Sequence, residues 1–143
     1  MNARGISRIA GVAVVLGACR GGNTVADPSA GAPHMRPAAQ GEASALYFTM
    51  QNPDSLPMVL YGVEIDVAGA SSFHNSMDHN GMATMAKVDS VVVPAHGSVA
   101  FAERGLHVMA TDLHTAINVG DTIVARILIR PARVDTLRAA IRE

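Results

Sequence analysis

The residues of this sequence best suited to chemistry are its histidines and methionines, of which there are six and eight in 143 residues. Residues 74–85 contain two histidines and three methionines, and His107 and Met109 follow in a strand-like run. Neutral thioether sulfur combined with imidazole suits Cu(I), whereas zinc prefers thiolate, imidazole and carboxylate, and calcium and magnesium prefer oxygen. These residue types therefore predict a Cu(I) site.

The spacing of these residues favours a single site with four ligands. Residues two apart in a β-strand point to the same face, about 6.7 Å apart along the strand, so His107 and Met109 can converge on one ion. A strong turn signal at residues 80–81 is expected to fold Met85 back beside His74. The four ligands carry no charge, and an uncompensated metal charge favours Cu(I) over Cu(II).

Other histidines and methionines receive weaker assignments. Met77, His79 and Met82 lie in the same rich segment as His74 and are predicted as possible additional ligands, used as alternatives during transfer. His96 lies in a turn signal and His114 lies beyond the second pair, and both are predicted to be surface residues.

The elements that must position the candidate ligands are β-strands. Apolar and polar residues alternate or cluster in short runs at 45–51, 58–67, 71–74, 91–93, 98–101, 106–110 and 123–129. Turn signals separate these runs, which predicts an all-β fold of the Greek-key sandwich or barrel type.

Three local predictions accompany this fold class. In the second run, Val59, Tyr61, Val63 and Ile65 are predicted to share one face. Residues 94–97 are predicted to connect two strands of a hairpin. The tail after residue 130 fits either a short amphipathic helix or a strand at the edge of the sheet. Tyr47 and Phe48, in the first run, are predicted to be core and face residues.

The single cysteine, Cys19, follows a segment typical of a secretory signal. Arg4 and Arg8 precede an apolar run over residues 9–16, which is too short to span a membrane. Residues 16–19 read Leu-Gly-Ala-Cys and resemble the lipobox of bacterial lipoproteins, in which cleavage precedes the cysteine and the cysteine is lipidated. The alternative is an ordinary signal followed by a small buried cysteine. We predict an exported protein, anchored by lipid on Cys19 on the periplasmic or outer cell-surface side.

Composition shifts along the chain predict its domain boundaries. The signal peptide occupies residues 1–18, and a linker rich in Gly, Pro, Ala and Ser occupies residues 19–42. His34 and Met35 lie in this linker and are predicted to be solvated. The folded domain is predicted over residues 43–143.

Several classes of function are disfavoured. The net charge is -1 and basic residues are scattered, so no basic face is available for nucleic acid. A blue-copper electron carrier needs a cysteine thiolate at the metal, and Cys19 is assigned to the lipid site. No nucleophile stands beside a plausible base, so we do not expect an enzyme. An immunoglobulin-like structural or adhesive lipoprotein without metal remains as the alternative.

The spacing of the four candidate ligands resembles the motif of the PCuAC copper chaperones. His74 and Met85 are separated by ten residues, His107 follows after 21, and Met109 after one more. The surroundings agree over about residues 43–129, namely in the segments 45–52, 80–81, 93–97 and 120–122. Two features depart from the family pattern. Residues 103–106 stand where a Pro-Gly-Gly lead often precedes the second pair, and the tail lacks a His- and Met-rich extension.

The resemblance implies a cupredoxin-like sandwich, related to the immunoglobulin-like architecture, with a Cu(I) site at one end. It also implies a chaperone that carries copper outside the cytoplasm. Its expected partner is a copper-accepting protein such as cytochrome oxidase or one of the assembly factors of that oxidase.

Overall fold

The computed structural model describes residues 31–143, and the predicted signal peptide and Cys19 lie outside this range. Ten strands make up the regular structure of the described residues: β1 His34–Met35, β2 Ser44–Gln51, β3 Met58–Ile65, β4 Ala68–His79, β5 Met82–Val88, β6 Val91–Val93, β7 Ser98–Phe101, β8 Leu106–Leu113, β9 Thr122–Ile129 and β10 Arg133–Ile141. The all-β prediction is confirmed. Nothing in residues 31–143 forms a helix with the length and apolar character needed to cross a membrane.

The strands follow one path of hydrogen-bonded neighbours, in the order β5-β4-β8-β2-β1-β10-β9-β3-β6, with β7 paired to β2. Strands from both ends of this path contribute side chains to one apolar core, among them Phe48, Phe73 and Val108 from one half and Leu60 and Ile127 from the other. The path therefore curls into a sandwich with two facing layers. Burial of this core is the main driving force for the fold.

Two strands show the predicted alternation. In β9, Ile123, Ala125, Ile127 and Ile129 are all buried, while the residues between them are partly or fully exposed. In β2, Leu46, Phe48 and Met50 point into the core. Period-two alternation identifies these strands correctly because each has one face on the core.

The predicted face of β3 is wrong. A register shift between Leu60 and Gly62 interrupts the pairing of β3 with β9. Leu60 is buried before the shift and Val63 after it, while Tyr61 is 42% exposed. A β-bulge inserts one extra residue and reverses the alternation beyond it, so a single period cannot describe the whole strand.

The hairpin predicted around residues 94–97 is also wrong. β6 pairs with β3 and β7 pairs with β2, so the connection crosses from one layer to the other. The buried side chain of Asn52 holds this crossing, because its amide donates to the carbonyl oxygens of Val93 at 3.1 Å and Pro94 at 3.1 Å. A turn signal indicates a change of direction, but it does not identify the strand that receives the chain.

The chain is ordered before the predicted domain boundary at residue 43. His34 and Met35 form β1, which pairs antiparallel with β2 and parallel with β10. Met35 is fully buried, so the prediction of a solvated pair within a linker is wrong for this residue. The tail is β10, which lies between β9 and β1 in the strand order. Of the two alternatives considered from the sequence, the strand is therefore correct and the helix is wrong. Within the described residues β10 pairs with β1 only at Ala140 and Ile141, so most of its length borders the sheet on that side.

Candidate metal site

Three adjacent strands, β5, β4 and β8, position the four candidate ligands. His74 on β4 lies directly opposite His107 on β8, and Ser72 on β4 lies opposite Met109. On the other side of β4, Ser76 lies opposite Met85 of β5. Directly opposed residues project to the same face of a sheet, and so do residues two apart along a strand. His74, Met85, His107 and Met109 therefore share one face, as the spacing predicts.

The two imidazoles are close enough to share an ion. The ring centroids of His74 and His107 are 6.1 Å apart, with an angle of 31° between the ring planes. Two imidazoles bound to one metal at about 2.0–2.1 Å per bond have centroids about 5–6.5 Å apart, depending on the angle at the metal. The observed separation of the ring centroids falls in that interval, as a shared ion requires.

Burial decreases across the site from β8 to β5. His107 is 4% exposed, whereas Met85, on β5 at the end of the strand order, is 58% exposed. His74 and Met109 are intermediate. The site thus has a buried imidazole on one side and an accessible thioether on the other.

The turn before β8 fixes the tautomer of His107. Its Nδ1 lies 2.9 Å from the carbonyl oxygen of Gly105, and a carbonyl only accepts, so Nδ1 carries the proton that is donated. In the neutral ring Nε2 then keeps its lone pair, which is the state that binds a metal. The same Gly105 oxygen also accepts a hydrogen bond from the amide of Ser76 at 3.0 Å, which links this turn to β4.

Residues 103–106, which stand where the PCuAC pattern often has Pro-Gly-Gly, belong largely to a turn over residues 102–105. Arg104 takes a positive φ of 62° there, and the amide of Gly105 donates to the carbonyl oxygen of Ala102 at 3.2 Å. A non-glycine residue in the left-handed region closes the turn that a glycine closes more easily. The different sequence still delivers His107 to the shared face.

His74 is biased towards the neutral form. Burial lowers its pKa from the ordinary 6.5, and the nearby His107 and Lys87 lower it further. Its Nε2 lies 3.0 Å from the hydroxyl oxygen of Ser72, which can donate to or accept from the ring. A neutral imidazole is the form that can ligate a metal, and the surroundings of His74 favour that form.

Two aromatic rings extend the same face beyond the four candidate ligands. The Tyr47 ring on β2 lies 6.4 Å from the His107 ring and 5.3 Å from the His34 ring on β1. Burial raises the pKa of Tyr47, the nearby Arg36 opposes this rise, and Glu103 adds to it. From the sequence, Tyr47 is predicted only as a core or face residue. Its position one residue from buried Leu46 was the available signal that it lies on the ligand face.

Met77, His79 and Met82 are not brought to this site. Met77 and His79 lie at odd steps from His74 along β4, and Met82 lies directly opposite His79 on β5. All three therefore project from the opposite face of the β4-β5 hairpin. His96 and His114 are exposed, as predicted. Over residues 31–143, no group of three or more His, Cys, Asp or Glu side chains is placed to hold a metal.

The family model "Putative lipoprotein LpqE-like" matches residues 28–130 of this chain. The chain belongs to the LpqE-like family. No curated protein matches it significantly. The matched region of this LpqE-like chain contains all of β1–β9 and every candidate metal ligand.

Solved structures similar to this LpqE-like chain include several PCuAC domains. The solution structure of CuI-DR1885 from Deinococcus radiodurans is 25% identical, with a TM-score of 0.60, and the match covers 77% of this chain and 76% of that one. The apo PmoF2 PCuAC domain is 26% identical, with a TM-score of 0.61 and coverage of 77% and 85%. The copper-bound PCuAC domain from PmoF2 is 24% identical, with a TM-score of 0.63 and coverage of 77% and 87%. These similarities support the cupredoxin-like sandwich.

Proposed function

We propose that this LpqE-like chain is a copper-binding protein that holds one Cu(I) ion tightly through His74, Met85, His107 and Met109. The observation that carries the proposal is the shared face of these residues on β5, β4 and β8, with the two imidazole centroids 6.1 Å apart. Two thioethers and two imidazoles form a soft, uncharged ligand set, which suits Cu(I). The similarity to a Cu(I)-bound protein, CuI-DR1885, supports the same choice of metal.

The exposure gradient favours delivery over permanent storage. Met85 is 58% exposed on β5, whereas His107 is 4% exposed. An incoming ligand from another protein can replace the exposed thioether first while the buried imidazole still holds the ion. We therefore propose a chaperone that passes Cu(I) to a copper-accepting protein, such as cytochrome oxidase or an assembly factor, and that binds and releases metal without catalysing a reaction.

The metal preference is tested by competition. The full chain is expected to take up Cu(I) under reducing conditions in the presence of a competing Cu(I) chelator, without an intense blue absorption band, because no thiolate is in the proposed ligand set. Zinc is expected to bind much more weakly, because thioether is a poor zinc ligand. Uptake of zinc with equal stoichiometry, together with no Cu(I) retained against the chelator, would contradict the Cu(I) assignment. Failure to bind either metal would favour the immunoglobulin-like structural or adhesive lipoprotein.

We also propose that the chain is exported and held at the membrane by lipid on Cys19. Support comes from the Leu-Gly-Ala-Cys sequence at residues 16–19, after a basic start and a short apolar run. Mass spectrometry of protein extracted from membranes is expected to show Cys19 as the first residue, with its lipid. The Cys19→Ser variant is expected to leave the membrane fraction. Mature protein that begins elsewhere, or an unmodified Cys19, would contradict the anchor.

A further inference from the structure

The end of the β4-β5 hairpin extends beyond the sandwich. β8 pairs with β4 from Ala68 to Asn75, and from Ser76 to His79 the only strand paired with β4 among the described residues is β5. The amide of Ser76 also donates to the turn before β8. Residues 77–87 are all exposed. Both faces of this end are therefore accessible, and side chains there are not held in place by core packing.

One face of the hairpin end contains two methionines and a histidine. His79 lies directly opposite Met82, across the turn formed by Asn80 and Gly81, and Met77 lies two residues before His79 on the same face. Asn80 and Gly81 have φ values of 54° and 79°, as the two central residues of a tight hairpin turn require.

Simple strand geometry brings these three side chains within reach of one ion. Directly opposed residues have Cβ atoms about 4.5–5.5 Å apart, and residues two apart on a strand are separated by about 6.7 Å. Methionine and histidine side chains span such distances. Asp78, on the opposite face, stabilises the hairpin turn, because its carboxylate accepts a hydrogen bond from the amide of Gly81 at 2.9 Å.

Core packing does not account for these methionines. The face that carries Met77 and Met82 is, nearer the sandwich, the face of buried Phe73. Beyond the sandwich Met77 is 48% exposed and Met82 is 70% exposed. Exposed apolar side chains grouped on one small surface indicate an interaction, and here the accompanying imidazole makes a soft metal ion the best match.

We propose that Met77, His79 and Met82 form a second, weaker Cu(I) site at the end of the hairpin, on the face opposite the first site. This inference rests on the proposed function and extends it, since the second site serves as the point where copper enters or leaves. Met85 of the first site and Met82 lie on the same strand, β5, three residues apart. A copper ion then passes between the two sites, which lie on opposite faces of the hairpin. The three-ligand site is the more accessible of the two.

The proposal is tested by titrating the full chain with Cu(I) against a chromogenic Cu(I) chelator, in the absence of oxygen. The wild-type chain is expected to bind two ions, the second more weakly. The Met77→Leu/Met82→Leu variant is expected to lose the weaker ion and keep the tight one. The Met85→Leu/Met109→Leu variant is expected to lose the tight ion and keep the weaker one. A Met50→Leu/Met58→Leu variant changes two buried methionines and is the matched control, with both ions expected to remain.

The outcomes separate this inference from the proposed function. Saturation of the wild-type chain at one ion, or persistence of the second ion in Met77→Leu/Met82→Leu, overturns the second site and leaves the first intact. Persistence of the tight ion in Met85→Leu/Met109→Leu overturns the ligand set of the first site alone. With methyl-labelled methionine, the NMR signals of Met77 and Met82 are expected to shift during addition of the second ion and not the first. Unshifted signals at two equivalents would also refute the second site.

Discussion

Replacing Met85 and Met109 by leucine together is expected to remove tight Cu(I) binding while leaving the apo-protein as stable as before. Leucine has nearly the volume and hydrophobicity of methionine, so such a substitution usually costs less than about 1.5 kcal/mol even in a core. The expected cost is smaller at Met85, which is 58% exposed. Leucine offers no lone pair to the metal, so two of the four proposed ligands are lost.

The measurement combines Cu(I) competition with thermal unfolding. A ligand that binds only the native state stabilises it by about 2.7 kcal/mol when its free concentration is about 100 times Kd. The wild-type chain is therefore expected to show a raised Tm with Cu(I), and Met85→Leu/Met109→Leu is expected to lose most of that increase. The Tm values of the two apo-proteins are expected to agree closely.

Met50→Leu is the matched control for this pair. Met50 lies on β2 and is 4% exposed, pointing into the core on the face away from the candidate ligands. The same chemical change there is expected to leave Cu(I) affinity intact. If all three substitutions leave the affinity unchanged, Met85 and Met109 are not ligands and the proposed site loses its thioethers.

The shared face of the site followed from the sequence because two simple rules operate there. Residues two apart on β8 point the same way, and the tight turn at residues 80–81 returns β5 beside β4. Both rules are local. The direct pairing of His74 with His107 is not local, because it depends on β8 being the neighbour of β4. The two residues are 33 positions apart in the sequence.

The predictions that the structure contradicts also fail for physical reasons. The bulge between Leu60 and Gly62 reverses which residues of β3 are buried, and no period in the sequence marks it. The two residues of β1 are too few to show alternation, yet pairing with β2 and β10 buries Met35 completely. In each case the partner strands decide the outcome, and the local sequence does not identify them.

The positions of Met77, His79 and Met82 also depend on strand geometry and not on distance along the sequence. Their proximity to His74 in sequence suggested a shared ion, but strand alternation sends them to the other face. Sequence distance along a strand therefore predicts a shared site only for residues an even number of steps apart. This parity separates the proposed four-ligand site from the proposed three-ligand site on the same hairpin.

Affinity for Cu(I) at the four-ligand site is expected to fall steeply as the pH is lowered below the imidazole range. His74 and His107 ligate only when neutral, whereas thioethers do not titrate, so protons compete with the metal at these two rings. Competition by one proton reduces the affinity by about tenfold per pH unit, and competition by two by about a hundredfold. The effect is therefore among the largest expected for this protein.

The direction of the His74 pKa shift sets the pH at which protons begin to compete with Cu(I) for this ring. Burial lowers this pKa below 6.5, and His107 and Lys87 add to the effect, so His74 stays neutral to a lower pH than an ordinary histidine. The lowered pKa also means that the apo-protein gains stability from neutral His74 above pH 6.5 and loses that stability as the pH falls through the folded value. Affinity must therefore be measured directly by chelator competition, because Tm changes with pH even without copper.

The experiment compares Cu(I) affinity from about pH 7.5 to about pH 5 in the wild-type chain and in His114→Gln. His114 is exposed and lies outside the ligand face, so its removal is expected to leave the curve unchanged. His74→Gln is expected to bind more weakly at neutral pH and to show a shallower dependence, because one of the two competing protons is gone. An affinity that stays constant across the whole range would show that neither His74 nor His107 binds the ion.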